Sequence, residues 1–189
     1  SQKIPDSIDS SFSKCIIKTN FGEVEILGIR NDTISTNNCL TIDLGGDDKY
    51  FGNTATSCIS TPVSIVIDKN GDDIYDGSNG SLSLGLLGVS MIFDLSGDDH
   101  YISKNPGVSA ALYGTSLLYD EQGNDTYSSN SYFSQASAIV GVSLLVDLNG
   151  NDNFFCNNFS QGFGSTLGVG MLIDNRGTDC YAKNPEIEN

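Results

Sequence analysis

Short apolar segments recur along the chain at intervals of 25 to 27 residues, and polar residues separate them. Each segment is five residues long and rich in β-branched and aliphatic side chains, with glycine or other turn-forming residues around it. Brief apolar runs between turn signals are typical of buried β-strands. The segments cover residues 63–67, 89–93, 115–119, 142–146 and 169–173, and residues 38–42 form a weaker first copy.

One polar motif, D-x-x-G-x-D-x-[Y/F], follows every apolar segment. Aspartate accepts hydrogen bonds from backbone N–H groups two residues further on, and glycine tolerates positive φ, so the motif predicts a tight turn after each strand. The aromatic residue in the eighth position is expected to return to the core. The six copies begin at Asp43, Asp68, Asp94, Asp120, Asp147 and Asp174.

A fixed period of this length is typical of stacked repeat proteins, in which each unit buries its apolar face against its neighbours. Two or three short strands per unit predict an all-β fold, a parallel β-solenoid (β-helix) of about six coils. Coils stack about 4.8 Å apart, so six coils make a rod of about 30 Å. Up-and-down antiparallel repeats, as in a propeller, are the competing interpretation, but propeller blades usually need about 40 residues or more, so the solenoid is preferred. No window has a sustained helical period.

The two ends of the chain differ from its middle. Residues 1–38 lack the full motif, and we expect them to form an N-terminal cap and edge strand, with a worn half-motif at residues 28–32. Residues 39–189 form the six-repeat solenoid. Little sequence follows the sixth motif, so the last coil is expected to be an exposed stacking edge.

The charge balance excludes some partners. Nine basic residues face 24 acidic ones, for a net charge of -15. This field repels nucleic acid and anionic membranes, and it favours cations. The longest apolar stretches, such as residues 138–146, fall far short of the roughly 20 residues needed to span a bilayer. We therefore expect neither a nucleic-acid partner nor a membrane span.

Equivalent aspartates of the repeats are expected to stack in columns. The first motif positions form one column, and the sixth positions, Asp48, Asp73, Asp99, Asp125, Asp152 and Asp179, form a second. Carboxylates about 5 Å apart repel by roughly 0.8 kcal/mol in water and by roughly 3 kcal/mol at an effective dielectric constant near 20. A third column starts as Asp47, Asp72 and Asp98 and continues as Asn124, Asn151 and Thr178.

Two remedies for this repulsion remain open. Bound Ca²⁺ would use the carboxylates as hard oxygen ligands. Alternatively, the turn's own N–H groups satisfy each aspartate, which lowers its pKa without a metal. The candidate metal ligands are therefore the twelve aspartates of the first and second columns.

The segments Gly71-Asp72-Asp73-Ile74-Tyr75 and Gly123-Asn124-Asp125-Thr126-Tyr127 resemble half of the calcium-binding nonapeptide G-G-x-G-x-D-x-U-x of RTX proteins. Those proteins are secreted bacterial β-rolls, and the resemblance implies Ca²⁺ and export. In this chain the motif occurs once per coil and not in tandem, so the RTX coordination does not transfer whole. The full unit more closely resembles arrays of D-x-x-G-x-D-x-Y repeats in bacterial, exported solenoid proteins. That resemblance covers residues 39–181 and implies an architecture without an activity.

The sequence offers little to an enzyme. The single histidine, His100, occupies a variable motif position, and no nucleophile elbow, zinc-protease motif or phosphate loop is present. Parallel β-helix enzymes that act on polysaccharides use arginine, but Arg30 and Arg176 lie near opposite ends of the chain. We therefore expect no catalytic residues and no other cofactor.

The preferred hypothesis is a non-enzymatic, extracellular or cell-surface scaffold that is stabilised by cations and acts through interactions. Its partners would be a protein, a glycan or further copies, which would give a homo-oligomer or a filament by edge or face stacking. The alternative is a glycan-binding module or a carbohydrate-active enzyme. The motif aromatics are expected to stack in the core, and one apolar position of each strand is assigned to assembly: Val66, Ile92, Leu118, Leu145 and Leu172.

Overall fold

The computed structural model describes residues 12–184 and shows strands wound in stacked coils around one core. Sheet A has eight strands, in spatial order β1 (Lys14–Thr19), β2 (Gly22–Leu27), β4 (Leu40–Ile42), β7 (Val63–Asp68), β10 (Val89–Asp94), β13 (Thr115–Asp120), β16 (Gly141–Asp147) and β18 (Gly168–Asp174). It carries the repeated apolar segments, which confirms that they are strands.

Two further sheets complete each coil. Sheet B has seven strands, β3 (Thr33–Ile34), β5 (Lys49–Phe51), β8 (Ile74–Gly77), β11 (His100–Ser103), β14 (Thr126–Ser129), β17 (Asn153–Cys156) and β19 (Cys180–Lys183). Sheet C has four strands, β6 (Thr54–Ser57), β9 (Leu82–Leu86), β12 (Ala110–Leu112) and β15 (Ser137–Ile139). All strand pairs are parallel except β1 with β2. The fold is an all-β parallel solenoid of about six coils, as predicted.

The strand register places equivalent motif residues side by side. In sheet A, Asp94 pairs with Asp68 on one side and with Asp120 on the other. In sheet B, Tyr101 pairs with Tyr75 and Tyr127. Repeats of 25 to 27 residues therefore keep their register in both sheets, since the differences in length fall outside the strands.

The N-terminal segment combines an edge strand with a partial coil. Strand β1 runs antiparallel to β2 and forms one edge of sheet A. Strand β2 then pairs in parallel with β4, and β3 pairs in parallel with β5. The predicted cap therefore contributes to two of the three sheets, while its residues 1–11 lie outside the described part of the chain. Within residues 12–184, no helix is long and apolar enough to span a bilayer.

A column of stacked aromatic rings forms the centre of the core. The rings of the motif's eighth residue lie 4.6 to 4.8 Å apart with interplanar angles of 3° to 8°. Each such contact contributes about 0.5–1.5 kcal/mol beyond its area burial. All of these rings are fully buried except the last, which is 48% exposed, and they belong to Tyr50, Tyr75, Tyr101, Tyr127, Phe154 and Tyr181. The expected core role of the aromatics is confirmed.

The apolar strand residues that were assigned to assembly face the core and not the surface. Val66, Ile92, Leu118 and Leu145 point inward and are buried, and Leu172 packs partly buried against the same core. Their assignment to an outward assembly surface is wrong. Every second residue of a strand faces the same side, and these residues lie on the side that faces the core. The residues between them, such as Ile65 in β7, face outward and are only half-buried.

Buried serines line the interior between sheets A and C. The Oγ atoms of Ser83 and Ser116 lie 2.9 Å apart, and those of Ser109 and Ser143 lie 3.0 Å apart. Ser83 and Ser109 have φ values of 47° and 62°, so the chain bends sharply where sheet C approaches sheet A. Only small side chains fit there, and their hydroxyls satisfy one another and nearby carbonyls.

Candidate metal centre

The constant spacing within the motif brings its two aspartates together at the turn between sheets A and B. Asp94 is the last residue of β10 and faces inward, and Asp99 immediately precedes β11. Both side chains are fully buried. The other coils repeat this arrangement, so the columns of first and sixth aspartates lie next to each other inside the solenoid.

Glycine at the fourth position allows the turns to stack closely. Gly97 has a φ of 154°, and a Cβ atom built on it would lie 1.7 Å from the carbonyl oxygen of Gly71 in the preceding coil. Gly71 has a φ of 149° and would meet the carbonyl oxygen of Gly46 at 1.6 Å. No side chain fits at such distances, so glycine fixes the spacing that brings the aspartates of adjacent coils together.

The aspartates of the first column accept hydrogen bonds from the aromatic column. The hydroxyl groups of Tyr75 and Tyr101 donate to Oδ2 of Asp94 and Asp120, in each case in the following coil, at 2.7 Å. Burial, followed by the charge of nearby aspartates, raises the pKa of both tyrosines well above the ordinary value. These hydroxyls therefore stay protonated and act as donors.

The second carboxylate oxygen of these aspartates accepts a hydrogen bond from its own turn in some copies only. In the first two copies, Oδ1 accepts the N–H of the residue two positions on, at 3.2 Å for Asp43 and 3.1 Å for Asp68. In the four later copies, the corresponding oxygen is buried and has no hydrogen-bond partner among the described residues. These atoms are Oδ1 of Asp94, Asp120, Asp147 and Asp174.

The aspartates of the second column bind neighbouring coils. Oδ1 of Asp99 accepts the backbone N–H of Asp73 at 2.6 Å, and Oδ1 of Asp125 accepts that of Asp99 at 2.7 Å. The same contact links every pair of coils as far as Asp179. The other oxygen is again buried without a partner in the described chain, at Oδ2 of Asp48, Asp73, Asp99, Asp125 and Asp152.

All twelve predicted aspartates fall into five groups of three. Within each group, one carboxylate oxygen from every residue lies within 4.8 Å of the others. A typical group combines the sixth-position aspartate of one coil with both motif aspartates of the next. The groups are Asp43, Asp48 and Asp68; Asp73, Asp94 and Asp99; Asp99, Asp120 and Asp125; Asp125, Asp147 and Asp152; and Asp152, Asp174 and Asp179.

Burial and mutual repulsion make these carboxylates hard to ionise. Desolvation, followed by the charges of Asp120 and Asp68, raises the pKa of Asp94 to about 8. The pKa of Asp147 rises to about 7, mainly through burial and despite the hydrogen bond from Tyr127. The pKa of Asp120 is raised well above its ordinary value. Near neutral pH the row therefore needs protons or cations to offset its charge.

The third column lies on the surface and forms a separate ladder. Oδ1 of Asp72 accepts the backbone N–H of Asp98 at 3.0 Å, and Oδ1 of Asp98 accepts that of Asn124 at 2.8 Å. Asp72 and Asp98 are exposed, so water screens their charge. The change from aspartate to asparagine along this column keeps the acceptor oxygen, since Asn151 donates its N–H to Oδ1 of Asn124 at 3.1 Å.

The structure gives the aspartate columns a different arrangement from the expected one. The two columns were predicted separately, and they converge into one row of shared groups. The local N–H partner was expected in every turn, and it occurs in the first two copies. The tyrosine hydroxyls were missed as donors, although the recurrence of tyrosine two residues after an aspartate in nearly every motif was visible in the sequence.

The remaining candidates for chemistry lie outside this row. His100 is exposed, whereas its neighbour Asp99 is buried. Arg30 and Arg176 are also exposed. None of the three belongs to a carboxylate group.

Fold and site together define a class of protein, a parallel β-solenoid with a row of buried carboxylates running along its interior. Searches of protein-family profiles, curated proteins and solved structures found no match to this chain.

Proposed function

We propose that the buried aspartate row binds a stack of divalent cations, with Ca²⁺ as the natural ligand. Buried carboxylate oxygens without partners carry this proposal, since the described residues leave one on nine of the twelve aspartates of the first and second columns. An unpaired buried charge is costly, and a cation at the centre of each group would bind three carboxylates together.

The donor set supports Ca²⁺ over softer metals. Every ligand is a carboxylate oxygen, and Ca²⁺ binds oxygen at 2.3–2.6 Å. The carboxylate oxygens of each group lie within 4.8 Å of one another, close enough for a single Ca²⁺ ion to bind all three. Mg²⁺ demands near-ideal octahedral geometry and usually keeps several of its waters, which a buried group of carboxylates accommodates less readily.

Charge balance also favours a divalent cation at each step of the row. Each coil adds two buried aspartates, and one divalent cation per step between coils neutralises them. Protons are the competing solution, because the raised pKa values of Asp94 and Asp147 leave the cation-free row partly protonated. Cation binding would displace these protons, so binding is expected to strengthen as the pH rises.

The wider role that fits this site is a non-enzymatic scaffold outside the cell. Extracellular calcium sites work at dissociation constants of about 10⁻⁴–10⁻³ M, where Ca²⁺ is plentiful. The regular row holds coils together and offers no asymmetric centre for catalysis. Export and calcium binding are also what the resemblance of the 71–75 segment to RTX repeats implies.

The test is a direct measurement of metal content and stability. The protein is freed of metal with EDTA and dialysed against Ca²⁺ or Mg²⁺, and bound metal is counted by elemental analysis. Up to one Ca²⁺ per group and a rise of the melting temperature in Ca²⁺ are expected, because a ligand that binds only the folded state stabilises it. An Asp98→Asn variant in the exposed column serves as the matched control and keeps the full effect. No bound Ca²⁺ and an unchanged melting temperature would refute the proposal.

Glycan binding is a second candidate, and a group of aromatic residues that interrupts the repeat favours it. Phe133 and Phe159 stack with ring centroids 5.5 Å apart, and Phe163 lies 5.0 Å from Phe159. Phe159 is 51% exposed, and the preceding Asn158 lines a cleft of ≈ 320 Å³ with Gln161. Exposed rings beside amide groups suit a sugar, which has an apolar face and hydroxyl edges.

Oligosaccharide titration followed by NMR or calorimetry separates the two candidates. Binding that is lost in Phe159→Ala and kept in Tyr113→Ala, another exposed aromatic, would support the glycan site. Absence of binding to neutral and acidic oligosaccharides would remove it and leave the cation row unaffected.

A further inference from the structure

The outward side of sheet A is an apolar surface, which we call the outer face. Five strands, β7, β10, β13, β16 and β18, each present three outward residues, and the strands at the N-terminal end extend the same surface. The outer face consists of Ile17, Val24, Ile26, Leu40, Ile42, Val63, Ile65, Ile67, Val89, Met91, Phe93, Thr115, Leu117, Tyr119, Val142, Leu144, Val146, Val169, Met171 and Ile173.

None of these positions carries a charged side chain, although the chain has a net charge of -15. Solvent still reaches the face, since Val63 is 42% and Val142 39% exposed. The rest are mostly half-buried, because side chains on a flat sheet cover one another. The outward positions of sheet B are mixed by comparison, with Lys49, His100 and Asn153 among them. The apolar character is therefore a property of one side of the solenoid.

The strand register gives the outer face parallel ridges of side chains with grooves between them. Parallel strands pair residue for residue, so the outward side chains form three straight columns along the solenoid axis. The middle column contains Ile65, Met91, Leu117, Leu144 and Met171. Columns two residues apart stand about 6.7 Å from each other and leave grooves between them. A second sheet with the same spacing, shifted by half a column, would place its ridges in those grooves.

The area fits a dimer. Eight strands about 4.8 Å apart span about 34 Å, and up to three outward positions per strand span about 17 Å with their side chains, which gives roughly 550 Å² of planar area per copy. Two copies would cover on the order of 1,100 Å², which passes the lower limit of about 1,000 Å² for a specific interface. Sheets that pack face to face lie about 10 Å apart, which suits side chains of the size of Leu and Met.

We propose that the outer face of sheet A binds the same face of a second copy of this chain. The contact is two-fold symmetric, since one surface serves both partners. It differs from stacking of coils end to end, because it does not use the sheet edges at β18 and β19. Negative charge elsewhere on both copies opposes association, and therefore added salt should strengthen the dimer by screening that repulsion.

Sedimentation velocity and light scattering test this on the intact protein over an about hundredfold range of concentration. Wild type is expected to shift from the mass of one chain to that of two. Leu117→Lys places a charge at the centre of the face and should weaken association at least about tenfold. Leu87→Lys makes the same change at a residue that is 51% exposed elsewhere, and it should dimerise like wild type. Circular dichroism confirms that each variant is folded.

Leu117→Thr, a milder change that introduces an uncharged β-branched side chain suited to a strand, covers the case in which the lysine variant fails to fold. It should also weaken the dimer. Wild type that stays monomeric over the whole range would overturn the proposal. So would a dimer that Leu117→Lys and Leu117→Thr leave unchanged, which would point to the end of the solenoid instead.

Discussion

The Tyr127 hydroxyl donates a 2.8 Å hydrogen bond to Oδ2 of Asp147, a residue of the next coil. The same contact links the aromatic column to the carboxylate row at each of the first four steps between coils. In the fifth repeat Phe154 replaces tyrosine, and Asp174 accepts a hydrogen bond at 2.5 Å from Tyr181 of its own coil instead. The Tyr181 hydroxyl thus takes the place of the hydroxyl that Phe154 lacks.

Removing the Tyr127 hydroxyl should be costly. Tyr127→Phe keeps the stacked ring and leaves a buried carboxylate oxygen without its donor, so a loss of about 1–3 kcal/mol in the free energy of unfolding is expected. Urea denaturation measures this loss. Tyr113→Phe changes a tyrosine that is 61% exposed and should cost nearly nothing. Equal effects of the two changes would show that the hydrogen bond contributes little.

Asp120→Asn should have opposite effects with and without Ca²⁺. The amide has no charge to bury, so at pH 8 in EDTA the variant is expected to be more stable than wild type. In Ca²⁺ it lacks one carboxylate ligand and should gain less stability than wild type. Melting curves in both buffers give the two differences, and Asp72→Asn on the surface is the control that should change neither. A variant with the full gain in Ca²⁺ would contradict the role of Asp120 as a ligand.

The pH dependence of stability without metal follows from the raised pKa values. A carboxyl group whose pKa is higher in the folded state stabilises the fold at acid pH, and that contribution disappears as the pH rises through the folded value. With folded pKa values of about 7 for Asp147 and about 8 for Asp94, the protein in EDTA should lose stability from about pH 4 to about pH 9.

Calcium should reverse this slope, because the metal binds only the deprotonated carboxylates. Melting temperatures measured across this pH range, in EDTA and in saturating Ca²⁺, give two curves that separate at the alkaline end. Parallel curves would mean that Ca²⁺ binds without displacing protons from the row.

Gly97→Ala should be among the most destabilising single changes. The new Cβ atom would meet the Gly71 carbonyl oxygen at 1.7 Å and would also force alanine to a φ of 154°, so a loss of about 3–5 kcal/mol is expected. Gly52 has a φ of 82° and open space around it. Gly52→Ala isolates the backbone strain, and its cost should be about 1–2 kcal/mol. Similar losses for both would contradict the proposed steric role of the fourth motif position.

The sequence predicts the coils well because period and motif are strong signals, but it does not predict which side of a strand faces the core. In residues 63–67, Val63, Ile65 and Ile67 are as apolar as the buried Val66, so alternation is hidden. Ser64 is polar and yet buried. Its hydroxyl donates to the carbonyl of Asn38 in the preceding coil at 2.7 Å. In this strand a polar residue faces the core and apolar residues face outward, which is the reverse of the usual pattern of apolar residues inside and polar residues outside.

The candidate site was predicted at the level of residues but not of contacts. Spacing alone places Asp94 and Asp99 at one turn, and the repeat stacks them. Which of their oxygens finds a partner depends on the direction of individual N–H groups, such as that of Asp73 toward Asp99. This direction follows from the backbone conformation around the glycine, which the sequence does not specify.

The backbone contact from Asp73 to Asp99 has a consequence for how such a chain changes length. The spacing of 25 to 27 residues shows that the segment between the motif aromatic and the next strand varies by single residues. Because each turn bonds to the next through an identical contact, a whole repeat is the smallest unit of strands and turns that can be gained or lost. Removing residues 94–119 would join Phe93 to Asp120 and bring two equivalent turns together, whereas removing a single residue from a turn would misalign every ladder beyond it. During evolution, the solenoid is therefore expected to gain or lose coils as whole repeats. Each added or removed repeat changes the number of buried carboxylates by two.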